Sequence, residues 1–486
     1  MHMKPTIKTA ARLRWNDVYR EVELYKAAVR VYTKPLFQWR KALNVSADGK
    51  SLYELAGRGL RGLDAIHGAL RRETFQFRPS IGLTYNFNGK RRTFYIPPWE
   101  ERIVDLLLYR VLNQRLHHWF SPNSYAYRDH TYGLDGCQSR IASLLRSSHR
   151  PLYLVKRDVS DYFASVHHEV LLRQLCQHVE PGDYLFHLLR QRVQFAYQDE
   201  TGLHEATKGI PFGCASACLF ANIYLTELDR AIEKLPNVHY FRYADDLLLL
   251  SPERDSAALA SERLFRMLGE LKLSTKASHE ADLLLSTEGT GDHHFRTVSA
   301  FRHLGLLFHA GGEVCLSRDK RRKIQNLFRF AFRRKRRTWK RIKDPREQAR
   351  TLAAIASETI EKGVRNVAIV DYYLKHVTDV AQLRMLDRWL AEEVLSLVFG
   401  GHRKAHFAKL NFETLREFGL PSLVHRQRLI VHGHTESPFF IWQKRKADRA
   451  FRGTVARLVR TVGGNQSSLR AQKQQPKTPV GEGGCL

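Results

Sequence analysis

Three aspartates stand where apolar segments end. Asp245 and Asp246 fall inside "FRYADDLLLL", residues 241–250, between aromatic residues and four leucines. Asp158 follows the apolar run "LYLV" and two basic residues in "LVKRDVSDYF". Adjacent carboxylates repel and desolvation opposes their charge, so a metal or a basic partner must compensate. "PLYLVKRDVSDYF" begins as a buried strand, and "VHYFRYADDLLLLS" reads as a hairpin with the acidic pair at its tip. If that strand lies beside that hairpin, Asp158 and Asp245 meet at one end of a sheet. Carboxylates on neighbouring strands are what a pair of Mg²⁺ ions needs. Such a pair clamps the attacking and leaving oxygens of a phosphoryl transfer. Taken alone, Asp245–Asp246 equally suits an ordinary turn, since Asp favours turns.

The elements that must position these residues are legible as pattern. "VYREVELYKAAVRVY" and "LYELAGRGLRGLDAIHGALRR" carry helical spacing in the first 75 residues. "IGLTYNF", "NG" and "KRRTFYIP" predict a β-hairpin with Asn88–Gly89 at its turn. "WEERIVDLLLYRVLNQRLHHWF" and "SACLFANIYLTELDRAIEKL" predict helices. Beyond about residue 315 the chain turns basic. "SRDKRRKIQNLFRFAFRRKRRTWKRIKD" predicts a helix with one apolar stripe, Ile324, Leu327, Phe328 and Ala331. Helical patterns run to about residue 460, and a polar tail follows that is expected to be disordered.

The bulk composition narrows the partners. Lys and Arg number 79 against 49 Asp and Glu in 486 residues, a formal charge of +30. An excess of that size favours a polyanion, nucleic acid ahead of an anionic membrane surface. No window has the apolar length of a membrane span, and the opening "MHMKPTIKTAARLRW" has no apolar core, so no secretory leader is expected. The 6 cysteines form no CxxC pair. A structural zinc site is therefore not expected, and a reducing, cytoplasmic setting is. Cys214 and Cys218 are read as packing residues.

The residues now support a resemblance. From roughly residue 75 to 310 the chain resembles bacterial reverse transcriptases of the group II intron, retron and defence-associated kinds. In order, "KRRTFYIPPWEERIVDLLLYRVL" and "FSPNSYAYRDHTYGLDG" are similar to the two fingers motifs. "RDVSDYF" is similar to motif A, "GIPFGCASACLFANIYLTELD" to motif B and "YADD" to motif C. "LKLSTKASH" is similar to motif D and "FRHLGLLFH" to the primer-grip motif E. A lone YADD recurs by chance, whereas this ordered series does not. The resemblance implies an α+β right-hand polymerase. It divides the chain into an N-terminal helical extension (1–74), fingers (75–150), a palm with an antiparallel sheet (151–315) and an α-helical thumb (316–400). A C-terminal helical region (401–461) and the tail (462–486) follow.

It also implies roles. Asp158, Asp245 and the Val159 carbonyl would hold two Mg²⁺ ions, which Mn²⁺ can replace, with Asp246 as a third, less essential carboxylate. Lys276 would protonate the leaving pyrophosphate. Backbone amides from Ser160 through Asp161 to Tyr162 would cradle the incoming triphosphate, and Arg91, Arg92 and Arg128 would hold its phosphates. Phe163 would exclude a ribose 2′-OH. Phe212 and Gly213 would border the templating pair, and Tyr243 would sit beneath the primer terminus. The Leu304–Gly305 turn would grip the primer, and Arg333, Arg334, Arg336 and Arg337 would track the primer–template backbone, a run that otherwise reads as a solvated helix face.

Two departures qualify the match. Phe212 stands where motif B usually has glutamine, and Ala217 follows Ser216 where proline is usual. No HNH nuclease motif follows the polymerase, and the retron-type "VTG" triplet is missing from the thumb. The expected activity is RNA-directed DNA synthesis from dNTPs. The implied partners are an RNA template, as a dedicated noncoding RNA, and the cDNA product, in an anti-phage defence setting. A non-catalytic maturase and a template-restricted or terminal-transferase-like polymerase remain the alternatives, and a homo-oligomer or an accessory protein stays open. His402, His406 and His425 lie among basic residues and read as packing or RNA contacts rather than a metal site.

Overall fold

The computed structural model describes residues 12–433 except 34–43, 58, 88–89, 129–131, 149, 278–279, 289–293, 362–369 and 372. The Asn88–Gly89 turn, the helical pattern beyond residue 433 and the polar tail lie outside the described residues. Twelve strands form among the described residues. In chain order they are β1 (Ser80–Phe87), β2 (Lys90–Ile96), β3 (Leu152–Asp158), β4 (Ala196–Asp199), β5 (Gly202–Glu205), β6 (His239–Tyr243), β7 (Asp246–Ser251), β8 (Ala281–Leu285), β9 (Arg296–Val298), β10 (Ala300–His303), β11 (Leu306–His309) and β12 (Val314–Leu316). They build three sheets, ordered β2-β1-β4-β5, β6-β7-β3-β8-β9 and β10-β11-β12. Pairing is antiparallel except for β1 with β4 and β8 with β9.

The leucine run of β7 is explained by what covers the five-stranded sheet. Strand side chains alternate between faces. Leu247 and Leu249 enter a core with the helices Trp99–Arg115, Ala215–Glu233 and Arg254–Glu270. Leu248 and Leu250 enter a second core with the helix Leu134–Ser147, β10–β12 and the C-terminal helices. A strand covered on both faces needs apolar residues at every position, so it shows no alternation. β3 divides likewise, with Val155 in the first core and Leu152 and Leu154 in the second.

Ala215–Glu233 is apolar nearly all round because it is covered nearly all round. Its N-terminus is held by Asp105 of Trp99–Arg115, whose carboxylate accepts from the amides of Ala215 (2.6 Å) and Ser216 (3.2 Å) and from the Ser216 hydroxyl. Arg192 completes this buried site at 2.9 Å. A carboxylate at a helix N-terminus satisfies orphan amides and meets the positive end of the helix dipole.

The basic helix differs from expectation in length. It spans Arg318–Arg334 and stops at Lys335, after which Arg336–Trp339 forms a short turn of its own. The Trp339 indole donates to the Phe332 carbonyl at 2.9 Å and closes the bend. Ile324 and Phe328 are buried, Leu327 and Ala331 are half-buried, and Phe332 joins the stripe. The helices Pro345–Glu361 and Val380–Phe399 follow, and Leu410, Leu415, Leu420 and Leu423 share their core. Among the described residues no helix is long and apolar enough to cross a membrane. The fold is thus α+β, with a central sheet that is antiparallel except for the β8–β9 pair and a helical C-terminal region.

Candidate active site

The sheet register brings the carboxylates together. β3 ends at Asp158, β7 begins at Asp246, and the two residues are directly paired. Tyr243 pairs with Asp246 across the hairpin, so Ala244 and Asp245 form its two-residue turn. Ala244 takes φ 57°, the left-handed conformation such a turn requires. The Val159 amide donates to the Asp245 carbonyl at 3.1 Å, tying the turn to the strand beside it. Burial, then the charge of Asp158, pushes the Asp245 carboxyl up to about 6, with Lys276 acting in the opposite sense. Lys156 lies 3.7 Å from Asp246. His303 is fully buried and 4.0 Å from Asp246, and burial lowers its imidazole to about 3, so it is neutral there.

A cation already sits on the carboxylate edge. Lys276 Nζ donates to Asp158 Oδ2 at 2.8 Å and to the Val159 carbonyl at 3.0 Å. These are two of the oxygens that, by the resemblance, are expected to hold metal. Its segment is laced to the end of β3. The Ser160 amide donates to the Ser274 carbonyl at 2.8 Å, and the Lys276 amide donates to the Asp158 carbonyl at 2.9 Å. The donor set fits Mg²⁺: hard oxygens, negative in sum, converging where a positive group is held.

The expected nucleotide pocket is assembled in part. Asp161 is exposed and left-handed at φ 40°, ψ 44°. The Ser160 amide is engaged by Ser274, so of the three proposed amides it is not available to a phosphate. The Tyr162 side chain faces inward and its hydroxyl donates to the Ala221 carbonyl at 2.5 Å. Phe163 is half-buried against the same core. Its ring lies 5.1 Å from Phe212, which in turn lies 4.9 Å from Phe94 of β2. Phe212, which departs from the usual motif B pattern, therefore links the β1–β2 hairpin to Phe163. The Phe212 carbonyl accepts from Tyr95 N at 2.9 Å. Gly213 has φ +106°, and a Cβ there would lie 3.3 Å from the Tyr95 carbonyl, so both conformation and space favour glycine.

Arg91 and Arg92 are exposed on β2. Arg92 shares the strand face of Phe94, and Arg91 takes the opposite face, as alternation demands. The Arg128 guanidinium donates to the carbonyls of Ser121 (2.6 Å), Ser124 (3.0 Å) and His117 (3.1 Å) and stacks 3.7 Å from the Tyr132 centroid. Those contacts clamp its own loop.

Of the residues expected to meet the primer, Tyr243 is half-buried at the end of β6. Leu304 (φ 47°) and Gly305 (φ 85°) form the β10–β11 turn, and the Leu304 carbonyl accepts from Gln138 at 3.0 Å. A Cβ on Gly305 would come within 2.6 Å of Lys320 Cε, so the turn lies against the basic helix. Arg333, Arg334, Arg336 and Arg337 are all exposed, two on each side of the Lys335 bend. His402 and His425 are exposed and His406 is buried, and the three do not gather into a metal-binding group among the described residues.

Sequence reasoning missed the support behind the turn. Arg242 and Asp229 are fully buried and paired twice, at 2.7 and 2.6 Å. Arg242 Nη1 also reaches Asn222 Oδ1 (3.2 Å) and the Ala244 carbonyl (3.3 Å), and the Tyr240 hydroxyl donates to Asp229 at 2.8 Å. A charged residue inside each apolar pattern was the available signal.

Comparison with known proteins places this geometry. Residues 86–281 match the family described as reverse transcriptase (RNA-dependent DNA polymerase). The chain is 26% identical over 184 residues to the Retron Ec83 reverse transcriptase of Escherichia coli, covering 37% of this chain and 55% of that protein. It is 23% identical over 235 residues to Protein YkfC of Escherichia coli, 40% of this chain and 61% of that one. An uncharacterized 91 kDa protein in a cob intron of Schizosaccharomyces pombe is 25% identical over 182 residues, 37% of this chain and 22% of that one. The chain thus spans less than two thirds of each of these relatives. Among solved structures, telomerase from Candida albicans in complex with a TWJ fragment of telomeric RNA aligns with a TM-score of 0.43 at 10% identity, covering 76% of this chain and 71% of that one. Residues 86–281 thus match a reverse transcriptase domain, and in this region the chain is similar to a retron reverse transcriptase.

Proposed function

We propose that the protein is an RNA-directed DNA polymerase that extends a primer 3′-OH with dNTPs on an RNA template and releases pyrophosphate. The observation that carries this reading is the pairing of Asp158 with Asp246, with Asp245 in the adjoining turn and the Lys276 ammonium resting on Asp158 Oδ2 and the Val159 carbonyl. Two divalent ions, Mg²⁺ or in its place Mn²⁺, would supply charge neutralisation of the attacking and leaving oxygens. Asp158, Asp245 and the Val159 carbonyl would hold them, with Asp246 as the outer carboxylate. Lys276 would hold a proton for the departing pyrophosphate once released from Asp158. Phe163 would close the space beside the sugar C2′. Phe212, between Phe163 and Phe94, would wall the templating pair with apolar surface where the family offers an amide. Arg91 and Arg92 would meet the triphosphate.

The same proposal names a dedicated noncoding RNA as template and anti-phage defence as the setting. Likeness to a retron reverse transcriptase and the altered motif B support it. The test is incorporation of labelled dNTPs on a primed RNA by the full chain with Mg²⁺. Asp158→Ala and Asp245→Ala should abolish incorporation and leave RNA binding largely intact, because phosphate contacts elsewhere dominate affinity. Full activity in either variant overturns the reading. Incorporation that ignores template sequence would favour the terminal-transferase alternative, and splicing support untouched by both substitutions would favour a maturase. Sequencing RNA that copurifies with the protein tests the template.

A further inference from the structure

We propose that His309, Glu313, Cys315 and Asp379 form a structural zinc site that fastens the C-terminal helices to the β11–β12 hairpin. The Cys315 sulfur lies 3.4 Å from His309 Nε2 and 3.2 Å from Asp379 Oδ2. Donor atoms of His309, Glu313 and Cys315 all fall within 4.8 Å of one another, and Asp379, outside that group, would join as the fourth ligand from its place against the sulfur. With zinc–ligand bonds of about 2.0–2.3 Å, the donors of a tetrahedral site are separated by roughly 3.5 Å. One imidazole, one thiolate and two carboxylates are a zinc donor set, whereas Mg²⁺ avoids sulfur.

The site is built from two elements held in advance. In the hairpin loop the His309 amide donates to the Glu313 carbonyl and the Gly312 amide to the His309 carbonyl, both at 2.9 Å. Gly312 has φ +77°, and a Cβ there would lie 2.9 Å from Arg146 backbone atoms, so the loop is seated against the neighbouring helix. From the other side, residues 378–382 are stapled along β12. Thr378 N meets the Val314 carbonyl at 2.9 Å, and Leu316 N meets Gln382 Oε1 at 2.7 Å. Asp379 caps Val380–Phe399 with Oδ1, which leaves Oδ2 directed at the sulfur.

Without the ion the sulfur is a thiol donating to Asp379. Burial, then Asp379 and Glu313, pushes it up to about 12, with Arg321 opposing. On binding, the thiol proton passes to solvent as the sulfur–zinc bond forms. The ligands escape the sequence signature because no CxxC is present and Asp379 lies 64 residues beyond Cys315. Since β11 begins beyond Gly305, the site would set the angle of the helical region against the primer-grip turn.

The test uses the full chain expressed with zinc, dialysed against Mg²⁺ and measured by elemental mass spectrometry. About one zinc per chain is expected. It should be lost in His309→Ala and Cys315→Ser and kept in Asp158→Ala, which separates this site from the catalytic carboxylates. Cobalt in place of zinc should give the strong visible absorption of a tetrahedral ion and a thiolate-to-cobalt band in the near ultraviolet. If the buried Cys315 variant fails to fold, Glu313→Gln, at the exposed ligand, should still speed zinc loss to a chelator. Zinc content far below stoichiometric, or retention unaffected by His309→Ala and Glu313→Gln, overturns the proposal.

Discussion

Replacing Arg242 by methionine would leave Asp229 charged in the interior with a single partner, the Tyr240 hydroxyl. Both side chains of the pair are fully buried, and the guanidinium makes two bonds to Asp229, one to Asn222 and one to the Ala244 carbonyl. Breaking a buried pair from one side costs about 3–5 kcal/mol, because the surviving charge is uncompensated. That range is the expected fall in unfolding free energy, read from denaturant titration of tryptophan fluorescence. Replacing the whole network is a different perturbation. Arg242→Met with Asp229→Leu removes both charges, and Tyr240→Phe removes the hydroxyl that would otherwise be orphaned at about 1–3 kcal/mol. The triple variant should recover most of the lost stability and still synthesise DNA slowly, because the Ala244 carbonyl has lost its donor and the Asp245 turn is released. A single variant within about 1 kcal/mol of the parent would refute the energetic argument. A triple variant with parental activity would refute the positioning of the turn.

Phe163→Val should raise ribonucleotide use relative to deoxyribonucleotide use, measured as the ratio of kcat/KM. Unchanged discrimination would put the gate elsewhere, and not on Tyr162, whose hydroxyl is bound to Ala221. Lys276→Arg keeps the charge on Asp158 but cannot yield its proton. A general acid loses about 10²–10⁴-fold in kcat by that change, and an unaltered kcat would make Lys276 a counter-charge only. Neutralising Arg333, Arg334, Arg336 and Arg337 together should flatten the salt dependence of primer–template binding by up to roughly 0.7–0.9 log units per lost phosphate contact. An unchanged slope would mean a solvated face.

The carboxylates proposed to hold metal were legible because charge at the end of an apolar strand violates burial. Asp105 and Asp229 break the same rule, yet helical spacing offers each a solvent face on paper, and only tertiary packing removes it. The contacts of Arg128 were not legible either: three carbonyls lie within reach of its guanidinium, and local sequence does not display carbonyl directions. The basic helix was visible from its stripe. Its end at Lys335 was not, because "RRKRRTW" continues with good helix formers, and the bend depends on Trp339 finding a backbone carbonyl. The two cores were hidden in the leucine run, where covering both faces erases the alternation that would have told one face from the other.

That run bears on folding accuracy. In most strands a slip by one residue throws polar groups into the interior, and the error corrects itself. In β7 a slip would exchange Leu247 and Leu249 for Leu248 and Leu250, and each core would receive leucine in place of leucine. The strand's interior is therefore degenerate in alignment. What breaks the degeneracy lies at its margins: the two-residue turn at Ala244–Asp245, the Val159–Asp245 bond and the polar ends Asp246 and Ser251. The residues proposed to hold metal thus double as the index marks by which the central strand is set. Lengthening that turn by a residue would displace more than a carboxylate, because it would remove the information that distinguishes the native alignment from its nearest neighbour.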